Sequence, residues 1–250
     1  MAVLVVEKLR KVYPGGVEAL RGVSFSVDEG EIYGLVGPNG AGKSTAFKVV
    51  ATLLKPSSGR VAVDGVDVVS EPLRARAKLA FVPEEVGGYR RLTGWEFLEF
   101  VVRVHMGFRG ASRSDIEAAI EEAAKIAGLP EDVLRRVKMG EYSKGMKRRV
   151  QVAWALAVAP RLAILDEPTS GLDVEASYEL RSTIKRYARS SGVTVLMSSH
   201  NMLEVETVCD RVALIRRGLV LEEGSPQEIK ERYGASNLEE AYMAVVSEAS

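Results

Sequence analysis

The chain has 250 residues, of which 46% are apolar and 27% charged, with 34 Lys and Arg balanced by 34 Asp and Glu. Zero net charge argues against a dedicated nucleic-acid binder, which needs a basic surplus to neutralise phosphates, though it leaves room for a local basic patch, and the composition argues against long-range disorder. The one cysteine, Cys209, excludes an intrachain disulfide and a multi-thiolate metal site, which fits a reducing cytosol.

Residues 3–6 and 24–27 read as strands, with Pro14-Gly15-Gly16 as a break between them. The opening MAVLVVEKL lacks a basic leader and its apolar part ends at Glu7, so a strand is expected there rather than a signal peptide. Residues 32–37, IYGLVG, form a fully apolar run followed by a Gly-rich turn and a helix expected from Lys43 to about Leu54. In residues 60–69, RVAVDGVDVV, Asp64-Gly65 suits the positive φ angles of a two-residue hairpin turn flanked by β-branched residues. Together with residues 3–6 and 24–27 this predicts an antiparallel sheet at the N-terminal end.

Apolar runs return at residues 78–82, 161–166, 193–198 and 211–216. Separated by helix-length segments, they predict parallel strands covered on both faces. Residues 94–158 contain no convincing strand and read as three or more helices inserted into that sheet. Ser114 with Glu117 suggests a capping box for one of them, ending near Gly128 and Pro130. Ser225-Pro226 followed by Glu228 opens a further helix. The longest uninterrupted apolar run, residues 152–159, has eight residues, against about 20 for a membrane-spanning helix. Any work at a membrane is expected to pass through a partner.

Residues 37–45 read Gly37, Pro38, Asn39, Gly40, Ala41, Gly42, Lys43, Ser44, Thr45 and match G-x-x-x-x-G-K-[ST] between a predicted strand and a predicted helix. Glycines let successive backbone N–H groups converge on an anion, and the helix N-terminus adds partial positive charge. Lys43 is expected to reach β- and γ-phosphates, and Ser44 to ligate Mg²⁺. In RLAILDEPTSGLD, residues 161–173, Asp166 ends an apolar strand and Glu167 follows. The carboxyl edge of a parallel sheet is where ligands collect. Asp166 is placed to hold Mg²⁺ beside Ser44, leaving Glu167 to polarise a water for attack on the γ-phosphate.

These motifs resemble those of the ATP-binding cassette (ABC) ATPases, in family order from about Val3 to Gly224. Residues 142–146, YSKGM, resemble the family signature LSGGQ; residues 170–173, SGLD, resemble the D-loop; His200 resembles the switch histidine; Tyr13 resembles the aromatic that stacks on adenine. The resemblance implies an α/β fold: a P-loop NTPase parallel-sheet core with an N-terminal antiparallel β subdomain and an inserted helical subdomain. It places a single domain over 1–225, the helical insert at about 88–158, and a short helical tail over 226–250. It also implies a head-to-tail dimer, with a second copy or a related ATPase subunit, enclosing two Mg-ATP. There Ser143, Lys144, Gly145 and Met146 would act on the partner's ATP, Asp173 would cross the interface, and His200 would contact the γ-phosphate from its own side.

Three positions depart from the family spelling. Glu84, in VPEE at 82–85, stands where glutamine is usual; an ionised Glu donates no hydrogen bond but can bind Mg²⁺ or its waters. Tyr142 replaces Leu and Met146 replaces Gln. Lys144 replaces Gly, and is expected either to reach the partner's γ-phosphate or, the favoured orientation, to point to solvent. The run Lys147, Arg148, Arg149 either steers phosphate or is a solvated helix face. Residues 83–100 and the tail 237–246 resemble the drug and ion exporter branch. This implies the ATPase subunit of a transporter, bound peripherally to the cytoplasmic face of the membrane through a separate permease. Glu84 to about Met106 would form the groove for that permease, with Trp95 and Phe97 as anchors or as core residues; the core is favoured for Phe97. The soluble rival is an iron–sulfur cluster assembly ATPase, also a single cassette. A P-loop GTPase would need an N-K-x-D motif, and no Asn here is followed by Lys.

Overall fold

A computed structural model describes residues 1–85, 87 and 89–248. Val86 and Gly88 of the expected permease groove and the tail's Ala249 and Ser250 lie outside the described residues. Among them, two sheets carry the fold.

The N-terminal sheet is antiparallel, in the order β2-β1-β4-β5, with β1 at Ala2–Val12, β2 at Glu18–Asp28, β4 at Ser58–Val63 and β5 at Val66–Asp67. The predicted hairpin is there: Asp64 and Gly65 take φ angles of 47° and 76°, the pair of positive values that a two-residue turn matching the strand twist requires. β1 runs well past residue 6. Its register shifts between Val6 and Leu9, where Lys8 adopts φ 46°. This bulge lets the strand continue through charged residues that interrupt the apolar run.

The second sheet has the order β10-β9-β3-β8-β7-β6. Its strands β3 (Ile32–Val36), β6 (Leu79–Val82), β7 (Leu162–Leu165), β8 (Thr194–Ser199) and β9 (Arg211–Arg216) pair in parallel, and β10 (Leu219–Gly224) turns back antiparallel on β9. β3, β7 and β8 are buried along their whole length, because helices cover one face and the first sheet with the helix at Lys43–Val50 covers the other. That double coverage is why their sequences are continuous apolar runs.

The helices are α1 (Lys43–Val50), α2 (Pro72–Arg76), α3 (Gly94–Phe108), α4 (Arg113–Ala127), α5 (Glu131–Arg136), α6 (Lys144–Ala157), α7 (Val174–Ser191), α8 (Met202–Val208), α9 (Pro226–Tyr233) and α10 (Leu238–Glu248). α1 stops four residues before Leu54, because Thr52 takes φ 63° and the amides of Leu53 and Leu54 fold back onto Lys48 O at 2.8 and 3.1 Å. The cap of α4 is Ser112 and not Ser114: its hydroxyl accepts from Asp115 N at 3.2 Å, while Glu117 pairs with Arg113. The far end of α4 and the Ser225 capping box of α9 are as expected.

α3 to α6 stand between β6 and β7 and share a core of their own, built on Phe97, Leu98, Leu134, Tyr142 and Val150. α6 belongs to both cores, giving Val150 and Ala153 to this one and Val152, Ala155 and Leu156 to the main one. Phe97 is a core residue, 2% exposed and edge-on to Tyr89. Trp95 is half-buried beneath the Arg135 guanidinium, 3.6 Å from its ring centre. No described helix is long and apolar enough to cross a membrane.

Candidate active site

β3 delivers the chain to the carboxyl edge of the parallel sheet, and residues 37–42 wrap there before α1 begins at Lys43. Gly42 is the helix cap at φ 111°, where a Cβ would lie 2.6 Å from Ala19 O; a Cβ on Gly37 would overlap Ile215 O. Both positions exclude side chains, so the loop packs tightly along a cleft of about 430 Å³. Asn39 to Thr45 line that cleft, together with Ala19, Glu84 and Glu167. Lys43 is 5% exposed, and its Nζ donates to Gly37 O at 2.6 Å and to Pro38 O at 3.2 Å. Tyr13 stands beside the loop, its hydroxyl 3.3 Å from Thr45 Oγ1.

The acidic pair follows β7 at the same edge. Asp166 is 2% exposed and Glu167 4%. Asp166 Oδ1 accepts from Ser198 Oγ at 2.6 Å and from Ser44 Oγ at 3.3 Å. Glu167 sits at φ 48°, a conformation that costs a non-glycine residue on the order of 1 kcal/mol. Its N–H donates to Ser198 Oγ at 2.8 Å and its carbonyl accepts from Arg148 Nη2 at 2.8 Å. So held, the carboxylate spans two groups: Oε2 lies 2.8 Å from His200 Nδ1 and Oε1 3.2 Å from Lys43 Nζ. The second contact is an ion pair by distance without a directed hydrogen bond, which leaves Oε1 covered but free to accept one.

One residue of this arrangement, Ser198, was not singled out from the sequence, and another, Arg148, was expected in a different role. Ser198 is fully buried on β8 and ties Asp166 to the Glu167 amide. Arg148, 6% exposed, donates to the carbonyls of Pro83, Asp166, Glu167 and Pro168. Burial pulls its guanidinium down to about 10, against the opposing pull of Asp166, Glu84 and Glu167, so it stays charged near neutrality. It is therefore neither a phosphate-steering cation nor a solvated one. Helical phase carried the signal: Arg148, Gln151 and Val152 share the buried face of α6. Arg149 caps the end of α4 through Ala127 O and Gly128 O. Lys147 borders a second cleft that holds Glu84, Glu85, Lys144 and Ser170.

The signature-like segment lies outside the loop cleft. Ser143 caps α6, its hydroxyl accepting from Met146 N at 3.1 Å. Tyr142 is core, its hydroxyl donating to Val133 O at 2.9 Å. Gly145 lets the first turn of α6 approach α7, since a Cβ there would lie 3.1 Å from Ala176 Cβ. Lys144 is exposed, and its ammonium lies beside Gly171 of its own chain, where a Cβ would overlap it. Asp173 caps α7, accepting from Ala176 N at 2.8 Å. Glu84 is exposed and stands between the two clefts, lining both.

Lys43, Ser44, Asp166, Glu167 and His200 thus meet at one place. Ser143, Gly145 and Met146 do not join them within one chain. Among the described residues no three His, Cys, Asp or Glu side chains gather as a metal cluster. The adjoining Ser44 hydroxyl and Asp166 carboxylate offer hard oxygen donors that suit Mg²⁺, with phosphate oxygens to complete its shell.

The family profile described as ABC transporter matches residues 20–170. The chain is 37% identical to the ABC transporter ATP-binding protein NatA of Bacillus subtilis (strain 168) over 229 residues, 91% of this chain and 90% of NatA. It is 34% identical over 246 residues to the linearmycin resistance ATP-binding protein LnrL of the same organism, covering 98% of this chain and 76% of LnrL. The dimeric post-hydrolysis structure of the ATP-binding cassette MJ0796, bound to ADP and Pi, superposes with a TM-score of 0.78 at 28% identity, covering 89% of this chain and 98% of that one.

Proposed function

The chain belongs to the ABC transporter family of ATP-binding cassettes and is an ATPase, and we propose that it dimerises around two Mg-ATP to drive export through a separate membrane permease. The observation that carries this reading is the convergence of Lys43, Ser44, Asp166, Glu167 and His200 on one sheet edge.

The phosphates of ATP bind the amides of residues 39–45, and Lys43 exchanges its bonds to Gly37 O and Pro38 O for β- and γ-phosphate oxygens. Ser44 and Asp166 would hold Mg²⁺, with Glu84 contributing from the rim, and the ion would supply stabilisation of negative charge on the phosphate oxygens. Glu167 takes the proton of the attacking water on Oε1, the oxygen that lacks a directed partner. His200 holds Oε2 and contacts the γ-phosphate. Tyr13 packs on the adenine. Ser143, Gly145 and the start of α6 close on the partner's γ-phosphate, and Asp173 crosses between subunits. The dimeric cassette MJ0796 supports this assembly.

The names of NatA and LnrL support a transporter subunit and, for LnrL, a role in drug resistance. A permease partner is supported by α3, which exposes Phe100, Val104 and Phe108 at 49%, 60% and 56% on successive turns, the first two within the segment expected to form the groove. Such a partner would hold the chain at the cytoplasmic face of the membrane. The test is sedimentation of Glu167→Gln. Dimers in Mg-ATP and monomers in Mg-ADP are expected; monomers in both would overturn the dimer. Co-purification of a polytopic membrane protein from the native host tests the permease.

A further inference from the structure

The segment from Glu167 to Asp173 carries the acidic residue at one end and the α7 cap at the other. Arg148 holds it from one side through Asp166 O, Glu167 O and Pro168 O. From the other side it is held by a group that the proposed mechanism does not use. Thr169, 6% exposed, donates its hydroxyl to Glu204 Oε2 at 2.6 Å. The other oxygen, Oε1, accepts from Arg181 Nη1 of α7 at 2.5 Å. The Glu204 and Arg181 side chains are 15% and 16% exposed, so the pair is largely shielded from water. Glu204 is also fixed at its backbone: its N–H donates to the side chain of Asn201, the cap of α8 and the residue after His200.

One carboxylate therefore joins three pieces: the turn after Glu167, the helix α7, and the helix that begins beside His200. The His200 side chain is 49% exposed, so packing alone does not fix its ring. On one side its backbone is set by β8, where Ser198 Oγ accepts from the Glu167 amide; on the other it is set by α8, which the Thr169–Glu204 bond holds. We propose that Glu204 is a positioning residue for ATP hydrolysis, setting the Glu167–His200 contact by locking Thr169 to the start of α8. The inference rests on the role proposed for Glu167 and His200. A slip of about 1 Å across this joint would carry a 2.8 Å contact beyond hydrogen-bonding range, and misplacement of that size costs about 10²-fold in rate. The residues 37–45 lie on other elements, so ATP binding does not depend on the joint.

The test uses Glu204→Ala, Thr169→Val and the double variant, with Thr169→Ser as the conservative control. Each single variant is expected to lower kcat about tenfold or more with KM for ATP within about twofold. The double variant should fall no further than Glu204→Ala, which already removes the Thr169 bond along with the Arg181 pair. Thr169→Ser, which keeps the hydroxyl, should restore kcat. A second readout needs no turnover. The chain has two histidines, so the His200 ring signal in ¹H–¹⁵N spectra can be followed against His105. The His200 signal should shift in Glu204→Ala and Thr169→Val while His105 stays. Unmoved His200 signals would overturn the proposal, as would a wild-type kcat in Thr169→Val, multiplicative losses in the double variant, or a loss confined to melting temperature. Wild-type turnover that disappears in Lys43→Ala establishes the underlying site separately. Were that turnover absent, the site reading would fail, and the His200 spectra would still decide on the joint.

Discussion

Lys43 is buried among backbone carbonyls and one carboxylate, and among the described residues it is the only lysine or arginine lining the loop cleft. Lys43→Ala is therefore expected to abolish ATP binding or nearly so, measured by fluorescent-nucleotide titration; unchanged affinity would remove the loop from the site. His105 is a residue whose effect is on stability. Its Nε2 is buried without a partner among the described residues, and its ring stands edge-on to Trp154, 5.8 Å away. Burial, with Arg109 nearby, pushes its pKa down to about 4. Protonation then favours the unfolded chain. The contribution of neutral His105 is fully present above about pH 6.5, declines as pH falls toward 4, and levels off below, a span of about 3 kcal/mol. Urea unfolding across that range should show the decline, and His105→Leu should flatten it. At Lys144 the expectation was a choice between a partner's phosphate and solvent. The side chain is exposed and its ammonium lies beside Gly171 with no ion-pair partner among the described residues, so Lys144→Gly is expected to change ATP-dependent dimerisation by less than about 1 kcal/mol; sedimentation in a Glu167→Gln background checks this.

Among the elements, α6 carries the most. Its cap is Ser143, its inner face packs both cores, and its second turn places Arg148 under the acidic pair. Removing a buried charge from four carbonyls leaves them unpaired, so Arg148→Ala should cost about 3 kcal/mol or more, read by chemical denaturation. The legibility of the elements follows the same physics. β3, β7 and β8 could be read because burial on both faces makes them continuous apolar runs. β10 could not: its row of partly exposed residues, LVLEEG, follows a turn at Arg217-Gly218 that has positive φ angles without the usual Asn or Asp. The positions of Lys43, Asp166 and Glu167 were legible from local spelling, since each follows a strand of the parallel sheet. Ser198 and Arg148 were not, because they meet Asp166 and Glu167 across 18 to 32 residues, through strand order and helical phase that no local motif records.

At the scale of the molecule, the loop cleft and the signature-like segment belong to different regions of one chain. If each cleft is completed by a second copy, specific ATPase activity should rise with protein concentration and plateau once the dimer saturates. Ser143→Arg, with its bulk at the α6 cap, should block that rise while leaving nucleotide affinity intact. The central claim is that Glu167 is the base that turns bound ATP over. Phosphate release by Glu167→Gln, measured at saturating Mg-ATP alongside nucleotide occupancy, tests it most directly. The account predicts ATP retained on the protein and release lowered about 10²-fold or more; release at the wild-type rate would contradict it.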